Sequence, residues 1–177
     1  MTAVLGIISE HSALLAADSA ELTEDGGLTI VQEPKIWRPV PSLLVGHAGG
    51  SAYGEAVQWR MSWPALPKRG GLAAWNEWIH RRVWSELYGF QAAVDPESGE
   101  SLLVLTAGGL WLVDTALCGA VIRMVSPEYA IGSGGESALA ALRALPHGRP
   151  RARALKALAC AESMRSDVRR PWCVLML

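Results

Sequence analysis

The chain has 177 residues, 50% hydrophobic and 19% charged, a globular composition that excludes a disordered one. Its length favours a single domain, residues 1–177, burying roughly 70% of the surface the unfolded chain would expose. A formal charge of −1 gives no pull toward nucleic acid or an anionic membrane and little self-repulsion between copies.

Two apolar runs, Ala3 to Ile8 and Ser12 to Ala17, read as strands joined by a short polar hairpin. Residues 19–27 are polar, end in two glycines and read as a loop. Strands are expected at Leu28–Val31, Ile36–Val40 and Leu43–His47, then a helix from Ala52 to Ser62. The prolines and glycines of WPALPKRGG mark a loop. Leu72 to Phe90 is the clearest helix: Leu72, Trp75, Ile79, Val83 and Leu87 recur at three- and four-residue steps and form one apolar face. The turn cluster DPESGES follows. Short strands are expected near Leu102–Thr106, Leu110–Asp114, Val121–Val125 and Tyr129–Ile131, with Gly108-Gly109 as a turn. Gly132 to Gly135 opens a helix that reaches Leu145, Arg151–Met164 is another, and Trp172–Leu177 is a last strand.

Helices therefore alternate in pairs with runs of strands. An α+β, four-layer αββα sandwich, two antiparallel sheets between helix pairs, buries all of these faces. Six of the eight tryptophans fall between Trp37 and Trp84. Core packing is the favoured account of them, and subunit contact the other.

The start lacks a basic leader, and Glu10, His11 and Asp18 interrupt its apolar stretch, so no signal peptide is expected. The longest apolar run, Leu102 to Val113, is too short to span a bilayer as a helix. A soluble, cytoplasmic protein without membrane or nucleic-acid partners is the expectation. Cys118, Cys160 and Cys173 have no metal-ligand spacing and read as buried free thiols. The four histidines have none either, so neither a metal nor another cofactor is expected. Gly132–Gly135 before a helix reads more simply as a tight turn than as an anion site.

Thr2 is the first candidate for chemistry. Removal of Met1 would leave a terminal threonine with a hydroxyl nucleophile and an α-amine of ordinary pKa about 7.7–8.0. Such an amine can act as the base for its own hydroxyl. A threonine after methionine is common and means little alone. Asp18, at the end of the second strand, and Lys35, just before a later one, add to it. A buried lysine beside the amine depresses the amine's pKa, and Asp18 would hold Lys35 charged and in place.

With these residues, the stretches TAVLGIIS, LLAADSAE, VGHAGGSAYGEAV and AIGSGGESALAALRAL, and the KIW strand, resemble proteasome β-type subunits. The likeness is nearest to the bacterial HslV peptidases and their shorter proteobacterial homologues. It extends over nearly the whole chain, more loosely from about Trp63 to Ser101. The resemblance implies an N-terminal-nucleophile fold and threonine endopeptidase activity within stacked homo-oligomeric rings. Peptides or unfolded proteins would be the substrates, and an ATPase unfoldase a partner. It implies Thr2 as nucleophile and, through its amine, base. Asp18 and Lys35 would tune that amine, Gly49 would give an N–H to the oxyanion hole, and Ser133 would orient the amine or a water.

Family members carry an aspartate near the last helix. A gapless match puts Ser163 there, with Asp167 four residues later. Either Asp167 serves through a local shift or the network is weakened. Alternate strand residues share a face, so Trp37 points with Lys35 and His47 with Gly49. Trp37 and His47, with Ala20, are the expected substrate-contacting residues. An amide hydrolase of the same type acting on a small molecule and an inactive ring-forming scaffold are the alternative functions.

Overall fold

The computed structural model describes residues 2–23, 25, 27–31, 33–94, 100–115 and 120–177. Met1, Cys118 and most of the DPESGES turn cluster lie outside them. Eleven strands and five α-helices are formed among the described residues. One sheet has the order β10-β1-β2-β11, from β1 (Val4–Ile8), β2 (Ala13–Ala17), β10 (Glu128–Ile131) and β11 (Cys173–Met176). The other has the order β5-β6-β7-β8-β9, from β5 (Ile36–Val40), β6 (Leu43–Ala48), β7 (Ser101–Thr106), β8 (Gly109–Asp114) and β9 (Ala120–Arg123). Every pairing within the two sheets is antiparallel.

The two sheets face one another because their strands alternate apolar residues on both sides. Val4, Leu15, Ala17, Leu44, Leu103, Leu105 and Leu110 form the layer between them. Gly46 permits the close approach: a Cβ there would stand 2.6 Å from Val4 Cγ1. The opposite faces meet helices. Leu5, Ile7, Leu14 and Ala16 pack against α4 (Gly135–Arg143) and α5 (Pro150–Met164). Pro150 starts α5, where its missing N–H costs nothing. Small residues, Ala138 on α4 and Ala154, Ala157 and Ala161 on α5, fill this layer. Arg153 ties the layer together, donating to the Leu142 carbonyl at the end of α4 (3.0 Å) and to Glu128 (2.6 Å).

On the far side, α1 (Ser51–Trp59) and the 71–94 helix cover the five-stranded sheet. That long helix differs from the expectation in one respect. It runs as α2 (Gly71–Glu77), a π-helical segment Trp78–Val83 and α3 (Trp84–Val94). The wider π turn offsets the rotation of repeated four-residue steps, so Ile79, Val83 and Leu87 stay buried on one face. Leu72, expected on that face, is exposed in the first turn. Trp37, Trp78 and Trp111 are buried in this core, and Trp63, Trp75 and Trp84 pack against it, while Trp59 is 70% exposed. Core packing thus accounts for most of the tryptophans. Cys160 and Cys173 are free thiols, but half-buried rather than fully buried.

The segment expected to be a loop at 19–27 contains β3 (Ala20–Leu22), paired with β4 (Leu28–Ile30) in a separate two-stranded ribbon. β4 is the strand expected at Leu28–Val31, although all its residues are exposed; β3 lies in the polar stretch and has no apolar run to mark it. No helix among the described residues is long and apolar enough to cross a membrane.

Candidate active site

Thr2 leads into β1 and is only 5% exposed. The turn between β10 and α4 holds it. Thr2 accepts the Gly134 N–H at 3.0 Å through its carbonyl, and its nitrogen donates to Ser133 Oγ at 3.3 Å. Gly132 has φ +87°, and a Cβ there would run into the Thr2 carbonyl. Gly132 thus serves close backbone approach to Thr2, whereas a Cβ on Gly134 would strike the Val168 side chain.

Ser133 Oγ donates in turn to Asp167 Oδ2 at 2.7 Å. Arg165 binds the same carboxylate, Nε to Oδ1 at 2.8 Å and Nη2 to Oδ2 at 3.1 Å. The Arg165 guanidinium, and then the Ser133 hydroxyl, hold the Asp167 carboxyl down to a pKa of about 2, against burial. Ser163 is not at the site: its hydroxyl is exposed and donates to the Cys160 carbonyl of its own helix. Of the two residues weighed for the missing aspartate, Asp167 reaches Ser133.

Asp18 follows β2 and is buried. Its carboxylate accepts the N–H groups of Ala3 (2.9 Å), Ala20 (3.0 Å) and Arg169 (3.4 Å). Lys35 Nζ donates to the same carboxylate at 3.0 Å and also to the Ala20 carbonyl. Burial pulls the Lys35 ammonium below its ordinary pKa, while Asp18 pulls it back up. Asp18 thus links the chain leaving Thr2 to the lysine on the neighbouring sheet.

A cleft of about 90 Å³ opens beside these groups. Thr2, Ala20, Lys35, Trp37, His47 and Gly49 all line it, as strand alternation implied for the aromatic residues. Glu21, Glu33 and Glu55 add carboxylates to its lining.

One residue at the site was not singled out in the sequence. Glu100 lies in the polar DPESGES stretch, which reads as solvent-facing, yet it is 1% exposed. Its Oε2 meets His47 Nε2 at 2.7 Å, and both its oxygens accept the Gly50 N–H at 3.0 Å. The only signal was an acidic residue directly before a strongly apolar strand.

Two sheets face to face, each covered by helices, with a threonine leading into the first strand, make the αββα fold of the N-terminal-nucleophile hydrolases. HslV from Trypanosoma brucei shares it at TM-score 0.71 and 23% identity, with 99% of this chain and 98% of that chain covered. Thiobacillus denitrificans BPH in complex with epoxomicin aligns at TM-score 0.76 and 21% identity, over 99% of this chain and 97% of that one. BPH alone gives TM-score 0.75 at the same identity and coverage. No protein-family profile and no curated protein matches the sequence.

Proposed function

We propose that the protein is a threonine-type endopeptidase, the subunit of a self-compartmentalised ring protease. The observation that carries this is the convergence on Thr2 of a buried Asp18–Lys35 pair and the Ser133–Asp167 pair at the edge of a cleft.

After Met1 is removed, the Thr2 hydroxyl attacks the scissile carbonyl and its proton passes to the Thr2 α-amine. The carbonyl oxygen becomes an oxyanion that accepts the Gly49 N–H. The intermediate collapses, the C–N bond breaks, and the leaving amine takes the proton from the α-amine. Water then attacks the acyl ester on Thr2, with the amine again as base, and releases the acid. Lys35 keeps the amine's pKa low, so that more of it is neutral near pH 7, and Asp18 holds Lys35 charged. Ser133, fixed by Asp167, orients the amine. Ala20, Trp37 and His47 contact the substrate beside the scissile bond.

Rings of identical subunits and an ATPase unfoldase that feeds unfolded chains complete the reading, which is supported by the likeness of fold to HslV. The contact between Asp167 and Ser133 supports this reading over that of an inactive scaffold.

Intact-mass measurement and a fluorogenic peptide test the proposal together. Processed protein should lack Met1 and cleave the peptide, and Thr2→Ala should abolish cleavage. Full activity in material that quantitatively retains Met1 would overturn it.

A further inference from the structure

The proposed oxyanion donor Gly49 sits in the two-residue link between β6 and α1. Glycine there is required by proximity, because a Cβ would collide with the Glu100 carboxylate. A pair of glycines is otherwise the most mobile link a chain can have. Here it is held from both sides. Ala48, before it, pairs with Ser101 at the end of the β6–β7 ladder. Gly50, after it, gives its N–H to both oxygens of Glu100. The two anchors are adjacent residues of one chain segment.

Glu100 is itself fixed. Its N–H donates to Thr115 Oγ1 at 3.0 Å, and its carbonyl accepts the Thr115 N–H at 2.9 Å. The 2.7 Å contact with His47 Nε2 fixes the carboxylate end. The imidazole is locked in its turn: a Cβ on Gly54, in the first half of α1, would strike its Nδ1, and the Tyr53 ring lies 5.9 Å away.

We infer that Glu100 is the positioning residue of the Gly49 N–H, aligning it on the oxyanion through Gly50 with His47 as its brace. This rests on the reading of Thr2 as nucleophile and Gly49 as oxyanion donor. The carboxylate acts by reach, not by charge. A mispositioned donor weakens binding of the transition state and leaves binding of the ground state largely intact.

The test compares Glu100→Gln, Glu100→Asp and Glu100→Ala with the parent and with Thr2→Ala in steady-state cleavage of a fluorogenic peptide. Glutamine keeps the reach and an acceptor for Gly50; aspartate keeps the charge and loses the reach. Alanine and aspartate should lower kcat by about 10²-fold with little change in KM, as for loss of one oxyanion donor. Glutamine should stay within about fivefold of the parent, since it keeps that donor aligned. If alanine fails to fold, the glutamine–aspartate contrast still decides. Parent-like kcat in aspartate, or aspartate outperforming glutamine, overturns the inference while leaving the Thr2 reading standing. Activity in Thr2→Ala overturns that reading itself.

Discussion

The Ser133 hydroxyl donates to Asp167 at 2.7 Å while accepting from the Thr2 nitrogen at 3.3 Å. This relay fixes which way the serine lone pairs face. Asp167→Ala leaves Ser133 Oγ free to rotate. It should lower kcat by about 10- to 100-fold, the equivalent of one hydrogen bond to a charged group. Asp167→Asn, which still accepts from Ser133, should lose less. Peptide hydrolysis at fixed pH checks both variants.

The same carboxylate makes stability depend on acid. Its pKa is about 2 in the fold, below the ordinary 3.8, so the unfolded chain takes up the proton first. The stabilisation is therefore complete above about pH 4 and disappears as pH falls toward 2. Thermal melts across this range should show an acid-limb decline that is shallower in Asp167→Asn. Identical slopes would mean that Asp167 is not held ionised.

Lys35 should act on the amine through its charge. Replacing it with methionine removes a cation from the cleft, so the proposed Thr2 amine holds its proton more tightly. The acidic limb of the rate profile should move up by about one pH unit, and the rate at neutral pH should fall. Asp18 keeps its three backbone donors in this variant, so the fold should survive. An unmoved acidic limb contradicts the role given to Lys35.

Trp37 is 8% exposed and lines the cleft, so Trp37→Ala should enlarge the cleft and change which peptides are cut. It should also cost about 3 kcal/mol or more of stability, as large-to-small core changes do. A peptide-library digest compared with the parent's reads the specificity change, and an unaltered profile rejects a substrate-contacting role.

Gly132→Ala combines an unfavourable φ of +87° with a clash against the Thr2 carbonyl. Stability should fall by roughly 1–3 kcal/mol, and cleavage should fall with it because Thr2 is displaced. Differential scanning calorimetry beside an activity assay separates the two effects.

Much of the fold was legible because its elements carry strong local periods. β1, β2 and β6–β8 alternate apolar residues between two buried faces, and α5 follows a proline start. Of the exposed ribbon, β4 was legible at Leu28–Val31 but β3 was not, since its three residues lie in a polar stretch. The π segment also escaped, because four-residue steps fit an α-helix nearly as well.

The layered architecture and the family likeness, which runs over nearly the whole chain, were both readable from the order of residues. That order also marked Thr2, Asp18 and Lys35 as the chemical candidates. Asp18 reaches back to the chain beside Thr2 because β1 and β2 form a hairpin, a local relation that spacing can express. That Asp167 and not Ser163 meets Ser133, and that Glu100 lies against His47, emerged from the packing of distant segments. Those contacts join Ser133 to Asp167 across 34 residues and His47 to Glu100 across 53. Local periodicity records which face a side chain occupies. It carries no information about which distant segment will lie against that face, and packing of the sheets and loops alone settles it.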